Sequence, residues 1–246
     1  MELLIDIGNT TVAVYEADKS LGTIGRCYRL PTNPNEDYSA LMSRKRENGQ
    51  AESCIICSVV PEITGKVSNA VTEVYGIEPV ILRRENIPMP VTVDEPDKVG
   101  MDRLVDAYYA YSEGCLPAVT VDLGTATTIG VVTVEDGFIG GSISAGVGTG
   151  LHAIGNKGAQ LFSTDITLPK SPIGKNTAEC LNIGAVCGAA AMIDGMMGLI
   201  ENETGCEMSL IITGGYASYV GKYVRHVHRI EENMLAKSLL LLSKEL

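Results

Sequence analysis

The sequence predicts an α/β fold built from two similar halves, each of which opens with a β-hairpin. The segments LIDIGNTTVAVYE, near the N-terminus, and TVDLGTATTIGVVTVE, near the middle, share one order of residues. A strand carries an aspartate near its end, and glycine, a polar turn, threonine and a valine-rich strand follow. Apolar segments of strand length and segments of helical period then alternate in both halves. We interpret this repeat as an internal duplication, with halves at 1–114 and 115–246.

The first half is predicted to alternate strands and helices after its hairpin. Proline begins and glycine ends one segment of helical spacing, the usual punctuation of a helix. The predicted elements are the strands LLIDIG, TVAVYE and IGRCYRL, a helix starting near Glu36, the strand SCIICSVV, the helix PEITGKVSNAVTEVYG, the strand PVILR and the helix VGMDRLVDAYYAYSEG. Cys54 and Cys57 form an isolated Cys-x-x-C pair within an apolar strand, so we interpret them as buried strand residues.

The second half is predicted to repeat this pattern. Its hairpin and third strand lead into a loop region, 144–175, and then into a long helix with Asn176 as N-cap and Glu179 completing a capping box. The strand MSLIITGG and the C-terminal helix EENMLAKSLLLLSKE follow. The most apolar window, 181–200, contains Asn and Asp and is rich in Gly and Ala, which favours a buried helix over a membrane span.

Composition and charge exclude some classes of function. The chain has 246 residues, 45% hydrophobic and 20% charged, which is typical of a globular protein. Its net charge of −11 argues against a nucleic-acid partner, because phosphate backbones bind concentrated Lys and Arg. The short basic cluster at 43–48 is interpreted as a solvated loop. Seven scattered cysteines and no recognisable export signal lead us to expect a cytoplasmic protein with reduced thiols.

The aspartates within the two hairpins need a chemical explanation. Asp is depleted in strands, and a buried carboxylate is costly without a partner. Glycine turns bring backbone N–H groups close to phosphate oxygens, and carboxylates hold the cation that accompanies phosphates. Asp6 with Gly8, and Asp122 with Gly124, therefore predict a phosphate-binding site. The simpler alternative, that both aspartates only shape turns, explains their duplication less well.

Six motifs make the prediction specific. DIGNT, SVVPEIT, VGMDR, VDLGTATT, IGKNT and TGG occur in this order over nearly the whole chain. The twin Asp-x-Gly hairpins resemble the actin-like ATPase fold shared by actin, acetate kinase and sugar kinases, and the six motifs resemble those of type III pantothenate kinases. The resemblance implies two duplicated ribonuclease H-like domains with a cleft between them. It also implies transfer of the γ-phosphoryl group of ATP to pantothenate, the first step of coenzyme A synthesis.

The resemblance further implies a role for individual residues. Asp102 would be the general base on the pantothenate hydroxyl, Asp6 would hold Mg²⁺ directly or through water, and Asp122 would bind K⁺ or NH₄⁺. The implied contacts to ATP are Asp6, Ile7, Gly8, Asn9, Thr10, Thr11, Val12, Thr125, Gly214 and Gly215. The implied contacts to pantothenate are Gly100, Met101, Asp102, Arg103 and Thr177. A homodimer is also implied.

Elementary chemistry agrees with these roles. We expect Asp102 to have an ordinary pKa of about 3.9 and to stay ionised at a helix N-terminus. Such a weak base suffices when it mainly orients a hydroxyl and accepts its proton late. Arg103 can bind a carboxylate through two hydrogen bonds, which Lys cannot.

Several alternatives remain open at this point. Thr177 is equally compatible with a capping role, and Gly184 and Gly188 with a contact either to a second subunit or to a sheet of the same chain. A second hypothesis for the whole chain is a regulatory homologue, like a Bvg accessory factor, that binds nucleotide or pantothenate without catalysis. A kinase of another small hydroxy acid or sugar is a third, because the segment before IGKNT is shorter than the family pattern.

Overall fold

The computed structural model describes residues 1–46, 49–157 and 165–246. Within these residues the strands are β1 (Glu2–Ile7), β2 (Thr11–Asp18), β3 (Thr23–Pro31), β4 (Ser53–Ser58), β5 (Val80–Ile81), β6 (Ala118–Leu123), β7 (Ala126–Thr133), β8 (Gly137–Ala145), β9 (Ser209–Thr213) and β10 (His228–Ile230). The α-helices are α1 (Tyr38–Lys45), α2 (Pro61–Tyr75), α3 (Met101–Ser112), α4 (Val147–Lys157), α5 (Thr177–Thr204), α6 (Ala217–Val220) and α7 (Met234–Leu242).

The described residues form two compact units with the same sheet topology. In unit 1 the strand order is β3-β2-β1-β4-β5, and in unit 2 it is β8-β7-β6-β9-β10. The first strand of each unit is antiparallel to the second and parallel to the fourth. This repeated order confirms the predicted internal duplication and the two-domain α/β fold.

The boundaries of the units differ from the predicted halves, 1–114 and 115–246. Unit 1 comprises Met1–Met89, Asp94–Ser112 and Met234–Leu246, and unit 2 comprises Pro90–Val93 and Glu113–Asn233. The C-terminal helix therefore belongs with the N-terminal sheet. The hydroxyl of Ser238 donates to the carbonyl of Val105, and that of Ser243 donates to the buried carboxylate of Glu2 at 2.8 Å. These contacts join residues far apart in sequence, which local patterns do not reveal.

In unit 1, the alternation of side chains along β1 separates a core face from a site face. Leu3, Ile5 and Ile7 are fully buried in the core that α1 and α2 cover. Asp6 therefore points to the opposite face, against which α3 and α7 pack. Most predicted elements of this unit are confirmed, but the strand predicted as PVILR is only two residues long, β5.

In unit 2, a helix replaces part of the predicted loop 144–175. Residues Val147–Lys157 form α4, and residues 158–164 lie outside the described residues. Glycines lower helix propensity, so the Gly-rich sequence of α4 does not predict a helix. Burial of Val147 and Leu151, against the sheet and α5, supplies the stabilisation that local propensity lacks.

Helix α5 begins at the predicted cap but is less buried than predicted. Asn176 Oδ1 accepts the N–H of Glu179 at 3.0 Å, whereas the Glu179 carboxylate accepts the N–H of Lys175, one residue before the expected capping-box partner. The helix buries one face, made of Asn182, Val186, Ala190, Ile193 and Met197. Its length and composition would suit a membrane span, and only 22% of its apolar window is buried in the chain. The prediction of a buried helix was therefore only half right.

Candidate functional site

The turn between β1 and β2 is closed by a backbone hydrogen bond and is held by two further hydrogen bonds from the residue that follows β3. Gly8 N donates to Thr11 O at 3.0 Å and closes the turn. The residue after β3, Thr32, donates from its hydroxyl to Gly8 O at 2.7 Å and from its N–H to Thr10 O at 3.3 Å. Asn9, Thr10 and Thr11 are exposed at the turn, so their polar groups face solvent.

Two predicted members of this turn have no accessible side chain. Ile7 and Val12 are fully buried in the core of unit 1. Only their backbone groups are therefore suited to contact a ligand at the turn.

Three carboxylates lie around one buried thiol beneath this turn. Asp6 is half-buried and is paired in register with Cys57, which is fully buried. Burial raises the pKa of the Cys57 thiol far above its ordinary value, and the charges of Asp6, Asp102 and Asp106 raise it further. The carboxyl ends of β1 and β4 and the start of α3 therefore concentrate negative charge.

Asp102 lies in the first turn of α3, and its carboxylate occupies space that a side chain at position 100 would need. A Cβ atom on Gly100 would be 2.6 Å from Asp102 Oδ1. The same oxygen accepts the N–H of Arg103 at 2.8 Å. Burial raises the pKa of Asp102 above its ordinary value, and the hydrogen bond and charge of Arg103 oppose this shift only partly. The expectation of an ordinary pKa was therefore wrong, because sequence does not reveal desolvation.

The guanidinium of Arg103 shares this environment. Burial lowers the pKa of Arg103, and the Asp102 charge raises it. Gly100, Met101 and Arg103 are all half-buried at the start of α3. The segment thus offers a base and a cation side by side.

In unit 2, the corresponding turn is packed against the start of α4. Gly124 N donates to Ala126 O at 3.1 Å. A Cβ on Gly146 would be 2.3 Å from Gly124 O, so only glycine allows this approach. The carbonyl of Thr125 accepts hydrogen bonds from Gly146 N at 3.2 Å and from the Thr149 hydroxyl at 2.6 Å. The Gly-x-Gly spacing of GVGTG was a signal for this contact that the sequence prediction missed.

Asp122 occupies the position in β6 that Asp6 occupies in β1. A Cβ on Gly124 would lie 3.2 Å from Asp122 Oδ2, and one on Gly214 would lie 2.3 Å from Oδ1. Gly214 also has a φ of +94°. The carboxylate therefore lies between two glycine backbones that leave its oxygens room.

A metal would need further ligands at either aspartate. In the part of the chain that the structure describes, no three His, Cys, Asp or Glu side chains form a group suited to hold a metal ion. Asp6 and Asp122 each offer hard carboxylate oxygens, which suit Mg²⁺ or K⁺ when water or phosphate oxygens complete the shell.

Unit 2 also contains a cavity of about 550 Å³. Its lining residues come from α4, the segment after residue 164, and the segment that follows β9: Gly148, Leu151, His152, Asp165, Ile166, Gly215, Tyr216 and Tyr219. The hydroxyl of Tyr216 lies 2.4 Å from where a Cβ on Gly148 would be. The volume and the mixed apolar and polar lining suit a small organic ligand. Sequence reasoning found only Gly215 of this set.

The predicted site residues thus divide between the units. Unit 1 holds the hairpin 6–12 and residues 100–103, and unit 2 holds Asp122, Thr125, Thr177, Gly214 and Gly215. Thr177 is the exposed first residue of α5, and the capping role belongs to Asn176 instead.

Comparisons with known proteins agree with this architecture. The family described as Type III pantothenate kinase matches residues 2–198. A Type III pantothenate kinase from Frankia alni is 32% identical over 245 residues, covering 95% of each chain. A Baf family protein from Campylobacter jejuni has a TM-score of 0.64 at 18% identity, covering 99% of this chain and 98% of its own. A ROK family protein from Streptococcus pneumoniae has a TM-score of 0.56 at 14% identity, and the match covers 99% of this chain and 98% of that protein's chain. The two structures support the predicted fold class.

Proposed function

Since this chain belongs to the type III pantothenate kinase family, we propose which of its residues carry the reaction. The enzyme transfers the γ-phosphoryl group of ATP to pantothenate, which yields 4′-phosphopantothenate for coenzyme A biosynthesis. Such a kinase uses ATP together with a divalent metal. The observation that carries our assignment is the half-buried Asp102 carboxylate, whose pKa is raised by desolvation, beside Arg103 in unit 1.

Asp102 is the general base of the reaction. Its carboxylate accepts the proton of the primary hydroxyl of pantothenate as the oxygen attacks phosphorus. A raised pKa makes Asp102 a stronger base than an exposed aspartate, and Gly100 keeps the space beside its oxygen free. Because phosphoryl transfer passes through a loose transition state, orientation of the hydroxyl by Asp102 contributes as much as proton removal.

The turn of the first hairpin binds the phosphates. Asn9, Thr10 and Thr11 are exposed at the turn that Gly8 closes at the end of β1, where their backbone N–H groups and polar side chains donate to phosphate oxygens. Asp6 holds Mg²⁺, directly or through water. When bound, Mg²⁺ neutralises the charge of the phosphates.

Pantothenate is bound by the start of α3. The guanidinium of Arg103 binds the substrate carboxylate, which a planar cation does through two hydrogen bonds. Gly100 and Met101 contact the substrate beside the base. In unit 2, Thr177 is exposed at the N-terminus of α5, where Asn176 caps the helix, so the Thr177 hydroxyl is accessible to a ligand.

Unit 2 binds the nucleoside and a monovalent cation. The cavity beside Gly215 accommodates the adenosine, with Tyr216 and Tyr219 as aromatic walls. Gly214 and Thr125 flank this region. Asp122 would bind K⁺ or NH₄⁺ through its hard carboxylate oxygens, with water or phosphate oxygens completing the shell.

The enzyme acts as a cytoplasmic homodimer. All seven cysteines are free thiols, as expected in a reducing compartment. The exposed stripe of α5 runs through Gly184, Gly188, Ala191, Gly195 and Leu199, and Leu199 is 65% exposed. A Cβ on Gly184 or Gly188 would meet nothing within 4 Å. A second copy of the chain covers this apolar stripe.

The test is ADP release from ATP with Mg²⁺ and K⁺, in the presence and absence of pantothenate. We expect ADP release to depend on pantothenate, and mass spectrometry to detect 4′-phosphopantothenate in equal amount. If folded protein releases ADP at the same rate with and without pantothenate, the assignment is contradicted and another acceptor is favoured. No ADP release and tight nucleotide binding would favour a regulatory homologue.

A further inference from the structure

Asn182 is a buried amide of α5 that forms three hydrogen bonds with one residue of the segment before the helix. It is 5% exposed. Its Oδ1 accepts the N–H of Thr167 at 3.0 Å. Its Nδ2 donates to the Thr167 carbonyl at 2.8 Å and to the Thr167 hydroxyl at 3.2 Å. The side chain therefore pairs with the backbone of Thr167 as a neighbouring strand would.

This pairing fixes a wall of the unit 2 cavity. Asp165 and Ile166, the two residues before Thr167, line the cavity, and Ile166 packs on the core of unit 2. Two residues after Thr167, the carbonyl of Pro169 accepts the hydroxyl of Tyr223. The segment 165–169 is therefore held at two points, of which Asn182 is the one next to the cavity.

We propose that Asn182 is a positioning residue for ATP: it does not touch the nucleotide but holds Asp165 and Ile166 in the wall against which the adenosine lies. This inference rests on the proposed nucleotide cavity. Without the amide, the N–H and carbonyl of Thr167 lose the partner that holds them, and the wall is kept in place only by the packing of Ile166 and the hydrogen bond from Tyr223 to Pro169. ATP binding then has to order the wall, and its affinity falls.

The experiment measures KM and kcat for ATP, at saturating pantothenate, in Asn182→Leu and in the control Asn202→Leu, an exposed residue of the same helix. For Asn182→Leu we expect KM for ATP to rise about tenfold with kcat nearly unchanged, because lost ground-state binding appears in KM alone. A merely structural role would lower kcat and the melting temperature and leave KM unchanged. That result would overturn the proposal.

Asn182→Asp provides a second test that does not depend on the folding of the leucine variant. Its carboxylate still accepts a hydrogen bond from the N–H of Thr167, but it can donate one to the Thr167 carbonyl only when it is protonated. The ratio of its KM for ATP to that of the wild-type enzyme should therefore fall as the pH falls. A ratio that stays at one at every pH would refute the role of Asn182.

Tyr219→Ala separates this inference from the placement of the nucleotide. If Tyr219→Ala raises KM for ATP and the Asn182 variants do not, only the role of Asn182 is wrong. If Tyr219→Ala also leaves KM for ATP unchanged, the cavity is not the nucleotide site and the inference fails with it.

Discussion

The carboxylate of Asp122 occupies the space that any side chain at position 214 would need. A Cβ on Gly214 would lie 2.3 Å from Asp122 Oδ1 and 2.5 Å from Leu123 N, and the φ of Gly214 is +94°. The residue that follows strand β9 is therefore a glycine, because its left-handed backbone and the Asp122 carboxylate of the neighbouring β6 leave no room for a side chain. Backbone conformation and the proposed cation site are linked at this one contact.

Gly214→Ala should impair the proposed cation site as well as the fold. The new methyl group would displace the Asp122 carboxylate, so we expect a higher K⁺ concentration for half-maximal activity. Asp122→Asn should remove the dependence on K⁺ together with most activity. The measurement is initial rate against K⁺ concentration with Na⁺ as replacement.

The control for this prediction is Gly205→Ala. Gly205 also has a positive φ, +70°, but a Cβ there meets nothing within 4 Å. This variant should lose about 1–2 kcal/mol of stability through the left-handed conformation alone and keep the wild-type response to K⁺. An unchanged K⁺ response in Gly214→Ala would contradict the assignment of Asp122.

Gly100→Ala should reduce turnover through the position of Asp102. A Cβ 2.6 Å from Asp102 Oδ1 forces the carboxylate to move. A misplacement of about 1 Å can cost about 100-fold in rate, so we expect a loss of kcat of that order with little change in melting temperature. Gly65→Ala, in the open on helix α2, should keep full activity and gain stability. Normal turnover in Gly100→Ala would refute the positional argument.

Asp102→Asn should make the protein more stable at neutral pH. Burial raises the pKa of Asp102 in the folded state, so its protonated form is favoured there. Its contribution to stability is fully present below the ordinary carboxyl pKa and is lost as the pH rises through the raised one. The neutral amide avoids this loss. Its advantage in melting temperature should therefore be present at pH 7 and vanish in acid.

The control for this stability prediction is Asp97→Asn, because Asp97 is exposed in a short turn before α3. It should melt at the wild-type temperature at both pH values. An Asp102→Asn protein that melts at a lower temperature at pH 7 would show that the charge stabilises the fold.

The sequence predicted the repeated hairpins correctly because period-two alternation and Asp-x-Gly turns are local signals. It did not predict α4, whose Gly-rich sequence is helical through the burial of Val147 and Leu151. It could not predict the raised pKa of Asp102 or the docking of α7 by Ser243 on Glu2. These features depend on residues brought together only by the fold.

Gly188→Arg should disrupt the proposed homodimer. Gly188 lies on the exposed stripe of α5 with no neighbour for a Cβ, so the single chain accommodates arginine. A second copy packed on the stripe would not accommodate the buried charge. Sedimentation should give the mass of two chains for the wild type and one for the variant. Asn202→Arg, at the polar end of α5, should remain a dimer, and a monomeric wild type would contradict the prediction.

The most direct test of the account is the pantothenate-dependent turnover of Asp102→Asn, measured beside Asp97→Asn. Loss of a general base typically lowers the rate about 10²- to 10⁴-fold. We therefore expect kcat of Asp102→Asn to fall by that factor, with KM for ATP near the wild-type value, and Asp97→Asn to retain full turnover. Wild-type turnover in Asp102→Asn would show that Asp102 is not the base and would contradict the central claim.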